Sequence, residues 1–169
     1  MPPETPPSTE SVYISPTERP ERMYRQGRAP VPDFDPGELL YLRYKCEHWV
    51  DGQLDPAGLH LPRTSVNRSR FSEPEDALFS EAGKYNGLGV VRFWVSEIPP
   101  RIEQQHGPAY VFFMTHVPDE ENYSHSEIWS DHEPREGGCR EPSKTAKMRF
   151  RVVLCQRIRQ DRVCIEAVL

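Results

Sequence analysis

The sequence holds no pair of cysteines two residues apart. Its four cysteines are Cys46, Cys139, Cys155 and Cys164, a spacing that argues against a zinc ribbon and a thioredoxin-like dithiol. No apolar run approaches the roughly twenty residues needed to cross a bilayer. The N-terminus lacks the basic start and apolar stretch of a secretory signal. These absences lead to the expectation of a cytoplasmic protein with reduced thiols and no membrane partner. There is no excess of positive charge either. The net charge is −5, which disfavours counterion-release binding of nucleic acid by the whole molecule while leaving a local basic face open. Apolar residues make up 36% of the chain, below the roughly 45–50% of an average domain.

Proline, by contrast, is abundant and unevenly placed. Nine of the 18 prolines lie between Pro2 and Pro36. Residues 1–37 therefore read as a Pro-rich N-terminal arm or disordered tail, with Val12-Tyr13-Ile14 and Met23-Tyr24 as apolar islands suited to docking. Residues 38–169 read as one domain, long enough to bury a core.

Within that domain, 38–45 predicts a first strand, and Leu59-His60-Leu61 a short second one ended by Pro62. Residues 63–72, with Arg63, Arg68 and Arg70 and few apolar neighbours, predict a basic loop. Ser72 predicts the N-cap of a short helix that ends near Gly83. Segments 90–96, 109–115 and 124–129 predict strands, the middle one so apolar that it should be central and covered on both faces. Residues 143–158 fit two periods. Met148, Val152 and Cys155 suit a helix capped by Ser143, whereas Met148, Phe150, Val152 and Leu154 alternate as in a strand of a C-terminal hairpin. The expected fold is α+β: a mostly antiparallel sheet with one or two packed helices and an extended arm.

The chemistry-bearing residues concentrate between Thr115 and Pro134, where His116, His125 and His132 are interleaved with Glu127, Asp131 and Glu133. His125 and Glu127, two apart, share a face if they lie in a strand. With His116 they make a possible two-histidine, one-carboxylate site for zinc or manganese, His125 and Glu127 then being catalytic in a metal-dependent hydrolase or nuclease. No established metal-binding spacing is present. Residues 131–138 echo the centre of an HNH nuclease, but no histidine follows His132, and a PD-(D/E)xK set is equally incomplete. Cys46 with His48 is a nucleophile–base pair only by proximity. Arg63, Arg68 and Arg70 could grip phosphates or a partner.

Leu40-Tyr41-Leu42-Arg43, His48-Trp49-Val50-Asp51-Gly52, Thr64-Ser65-Val66-Asn67-Arg68-Ser69, Glu73-Pro74-Glu75-Asp76-Ala77-Leu78 and Asn122-Tyr123-Ser124-His125-Ser126-Glu127-Ile128 resemble a group of small bacterial proteins. Those read roughly LYRR…W…DG…LSVDRS…TPEEAL…NPAHAEI. The resemblance implies a single α+β domain and attaches no activity to it. Arg43, Ser65 and Glu127 also resemble the Arg-Ser-Glu set of ADP-ribosyltransferases. The leading expectation is a non-catalytic interaction or regulatory module of a bacterial multi-protein system. It would bind a protein partner or itself through the arm, and it would need no cofactor.

Overall fold

A computed structural model describes residues 18–106, 109–132 and 143–169, with the side chains of Asp131 and His132 outside the description. The start of the Pro-rich arm (1–17), the acidic loop 133–142 and the nuclease-like echo therefore fall outside the described residues. The strands are β1 (Leu39–Tyr44), β2 (Trp49–Val50), β3 (Gln53–Leu54), β4 (Arg63–Arg68), β5 (Gly89–Trp94), β6 (Arg101–Ile102), β7 (Tyr110–His116), β8 (His125–His132) and β9 (Val163–Ile165), with one α-helix, α1 (Lys144–Cys155). Seven strands form an antiparallel sheet in the order β6-β7-β8-β4-β1-β5-β9, and β2-β3 is a separate hairpin. The expected mostly antiparallel α+β architecture is what the chain adopts.

Strand alternation separates the two faces. Leu40, Leu42, Val66, Val91, Phe93, Phe112 and Ile128 point to one side and meet Ala146, Phe150, Leu154 and Ile158, on α1 and just after it. Phe112 and Phe150 stack at 3.9 Å. The Ser143 hydroxyl accepts from the Ala146 amide, capping α1 as its sequence position predicts. The alternative hairpin does not form, because β9 pairs with β5. The opposite face is covered only in part. A turn of 3-10 helix at Pro74–Leu78 and the residues after it lay Ala77, Leu78, Tyr85 and Leu88 against Tyr41 and Val90. The Ser72 hydroxyl donates to Arg68 O instead of capping that turn. Over β4, β8 and β7, Arg63, Ser65 and Phe113 on this face are exposed among the described residues.

Three local expectations fail, each for a reason of packing. Leu59-His60-Leu61 is no strand: Leu59 turns into the core. β7 is next to the short edge strand β6 and buried on one face only, leaving Phe113 exposed. The segment 63–72 is not a loop. Its first six residues form β4, central in the sheet, with Thr64, Val66, Asn67 and Arg68 buried.

Arg68 corrects the reading of that segment as a phosphate-gripping surface. Its side chain is 0% exposed and that of its partner Glu38 6%. Nε donates to Glu38 Oε1 at 2.8 Å and Nη2 to Oε2 at 2.7 Å. Nη1 also donates to Val31 O and Nη2 to Asp33 O, each at 2.6 Å, and Phe34 lies 3.8 Å from the guanidinium carbon. A buried cation is tolerable only when paired and hydrogen-bonded in this way.

The same contacts fasten the described part of the arm to the body. Residues 18–37 are packed on the body. Arg22 pairs with buried Asp76 at 2.6 Å, Tyr123 OH donates to Ala29 O, and Arg28 lies 3.7 Å over the Tyr123 ring. No helix of the described residues is long and apolar enough to cross a membrane.

Replacing Arg68 by Met leaves Glu38 buried without its partner, and the variant should lose about 3–5 kcal/mol of unfolding free energy. The Arg68→Met/Glu38→Leu double variant should recover much of that loss. Urea denaturation of the three proteins measures both effects; a double variant no more stable than the single would overturn the account.

Candidate functional site

β7 and β8 pair with His116 opposite Ser126 and Thr115 opposite Glu127. That register decides the fate of the histidine–acid cluster. Cross-strand partners share a face, so His116 lies with Ser126 on the helix side, whereas His125 and Glu127 lie on the open side. The expected zinc or manganese set of His116, His125 and Glu127 is therefore not assembled. Among the described residues no group of three histidine, cysteine, aspartate or glutamate side chains converges as metal ligands do.

His116 is instead a structural residue. It is buried, stacks on Phe71 at 5.3 Å and meets the Tyr123 ring edge-on. The Val31 amide donates to Nδ1 at 2.8 Å, which puts the ring proton on Nε2, where it is donated to Tyr123 O at 2.6 Å. Both nitrogens are engaged. Burial holds the His116 pKa below its ordinary 6.5, outweighing the Tyr123 carbonyl that raises it; Arg68 and His125 lower it further and Glu38 opposes them.

On the open face the pairings build a row. Ser65 of β4 is opposite Glu127 of β8. β1 pairs with β4 at Leu40–Arg68 and Tyr41–Asn67, and the register continued by two residues sets Arg43 opposite Ser65. Arg43, Ser65 and Glu127 thus lie on one face of three neighbouring strands, with Ser65 paired directly to Glu127 and Arg43 across the opening between β1 and β4. His125 joins them. Its Nδ1 is 2.8 Å from Val117 O, so it carries the proton, and Nε2 faces the Ser65 hydroxyl at 3.4 Å. The Glu127 carboxylate makes no hydrogen bond or ion pair with the described residues.

The β1–β4 ladder ends after Tyr41–Asn67, and between the parting strands lies a cleft of about 260 Å³. Arg43, Lys45, His48, His60 and Arg63 line it, with Thr64, Ser65, Tyr44 and Leu88, and no carboxylate among the described residues does. Arg43 is half-buried. One of its N–H groups donates to Ala77 O, and the guanidinium lies 3.9 Å over Tyr85. No carboxylate among the described residues is within ion-pair distance of it, and burial pulls its pKa below the ordinary value. A desolvated arginine without a counter-ion, facing a cleft, is a site for an anion.

Arg63 lines this cleft and lies 3.7 Å over the Trp129 ring. Arg70 is exposed beside Phe71, away from the cleft lining. Cys46 and His48 flank one 3-10 turn, but Cys46 does not line the cleft. The cleft residues Lys45, His48 and His60 carry no motif. Only the parting of two strands brings them together, although Arg43 in β1 and Lys45 just after it mark that strand's end as basic. Comparison with family models, with curated proteins and with solved structures returns no match.

The unfolded chain takes up a proton at His116 that the folded chain resists. The His116 contribution to stability should be flat above about pH 6.5 and fall as the pH drops below it. A His116→Asn variant should lack that component of the slope. Urea melts of both proteins between about pH 7.5 and 5.5 test it; parallel slopes would remove His116 as the cause.

Proposed function

We propose that the chain is an ADP-ribosyltransferase-like enzyme, breaking the N-glycosidic bond of a nicotinamide dinucleotide at the mouth of the β1–β4 cleft. The observation that carries this reading is that Arg43, Ser65 and Glu127 share one face of three neighbouring strands, with a cleft beside the arginine that no acid among the described residues lines. Two other readings have less support. The metal-dependent hydrolase needs His116 on the face it does not occupy. An interaction module docking through its arm loses residues 18–37, which are already bonded to the body.

The chemistry assigns each group a task. Arg43 holds the diphosphate through its remaining N–H groups, in a setting where a charge-assisted contact is strong. The Ser65 hydroxyl, oriented by His125 Nε2, contacts the ribose next to nicotinamide. The bond from ribose C1′ to the pyridinium nitrogen breaks with its electron pair going to nitrogen, so nicotinamide leaves neutral. Positive charge builds on the ribose as in an oxocarbenium ion, and the Glu127 carboxylate stabilises it. An acceptor nucleophile bonds to C1′ and gives its proton to Glu127 or to His125.

Glu127→Gln keeps the shape and removes the charge. The rate of nicotinamide release, followed by chromatography, should fall about 100-fold or more, while binding of the dinucleotide, measured by calorimetry, persists. Arg43→Gln should weaken binding instead. Undiminished release by the Glu127 variant would sink the proposal.

A further inference from the structure

The cleft carries more positive charge than a dinucleotide's diphosphate calls for. The proposed function gives the diphosphate to Arg43, which leaves two further cations, Lys45 and Arg63, at the same cleft. The imidazoles of His48 and His60 lie around the same 260 Å³ space, and no acid among the described residues lines it. Lys45 is 3.6 Å from Glu47, with both side chains more than half exposed, a pair that water loosens at little cost. Arg63 has no carboxylate partner among the described residues; its guanidinium carbon lies 3.7 Å from the centre of the Trp129 ring. That contact pre-organises the planar fork, which matches two oxygens of a phosphate. The His60 ring is exposed, and the His60 carbonyl accepts from the Thr64 hydroxyl, tying the loop to the first turn of β4. His48 is held on the other bank, where its carbonyl accepts from the Asp55 amide at 2.8 Å.

We infer that the ligand of this cleft bears a phosphate monoester in addition to its diphosphate: a 2′-phosphorylated nicotinamide dinucleotide, NADP+, in preference to NAD+. The inference rests on the transferase reading for the dinucleotide and on the cleft's charge for the extra phosphate. A monoester is close to a dianion at neutral pH and offers three acceptor oxygens. Arg63 supplies a bidentate contact, Lys45 a mobile charge, and the two imidazoles further N–H donors. The volume suits the phosphorylated part of such a ligand and not the whole of it, since pockets that enclose a drug-sized ligand run from about 300 to 1,000 Å³. The remainder extends over the open face, past Ser65 toward Glu127.

Calorimetric titration of the full chain with NAD+, NADP+ and adenosine 2′,5′-bisphosphate tests this. NADP+ should bind about tenfold tighter than NAD+ or better, and the bisphosphate should compete with it. In Arg63→Gln the ratio of the two affinities should fall to about one; circular dichroism of that variant checks that it folds. Equal affinities in the native chain, or a preference that survives Arg63→Gln, would overturn the inference. Nicotinamide release from NAD+ without a preference for NADP+ overturns this inference alone. An NADP+ preference without release leaves the phosphate site standing and overturns the transferase reading. Binding of neither dinucleotide overturns both.

Discussion

One buried ion pair sets the geometry of this molecule. Arg68 ends β4, Glu38 precedes β1, and their bidentate contact joins the two central strands at one end of the sheet. The pair is fully withdrawn from water, where each charge alone is intolerable and the two together are tolerated because the remaining donors are satisfied. The extra acceptors are the carbonyls of Val31 and Asp33. The chain before β1 is therefore drawn across the sheet. Val31 is thereby set against His116, and Tyr123, Phe71 and Phe34 close around the guanidinium and the imidazole.

Pinned there, β1 and β4 pair for two residues and then part. β1 continues along β5 and β4 along β8, each fully laddered on its outer side. The opening in the middle of the sheet collects what each strand carries beyond the split: Arg43 and Lys45 from one bank, Arg63 and Ser65 from the other. A site of this kind places charge beside low-dielectric walls, where it acts on a ligand far more strongly than on an exposed surface. The segment 74–88 roofs one side and holds Arg43 through Ala77 O and Tyr85. On the other side, over β8 and β7, Phe113 is exposed and His125 and Glu127 are half-buried among the described residues.

Close packing shows where the sheet admits no change. A Cβ on Gly89 would lie 2.3 Å from the Tyr44 ring, which crosses that glycine and whose hydroxyl accepts from the Ala167 amide. The ring leaves no room for another residue, and it ties β1 to the chain's end at the edge of the cleft. The Arg162–Glu97 pair, at 2.7 Å, fastens the turn before β9 to the end of β5. The elements around the cleft are thus held by specific polar contacts as well as by the apolar core beneath.

Much of this was legible in the linear chain. The alternation of 38–45 and of 124–129, the aromatic run of 109–115, and Ser143 ahead of a helical period all led to the elements that form. His125 and Glu127, two apart, were sure to share a face once β8 was a strand. The neighbourhood of Arg43, Ser65 and Glu127 was readable only as a resemblance of residue types. What the chain could not reveal depends on partners distant in sequence. A run such as Arg-Thr-Ser-Val-Asn-Arg looks solvated until Glu38 and two carbonyls of the preceding segment neutralise Arg68, and then it becomes a central strand. His116 belongs to one face or the other according to a pairing register with β8, and a shift of one residue reverses it. The sequence by itself determined the strands, the helix and which side chains alternate together, because these follow from local periodicity and capping. Tertiary structure alone decided which face met the helix, which arginine was buried and which was left facing a cleft. Those outcomes turn on desolvation, and a charge is desolvated only by residues that the fold brings to it.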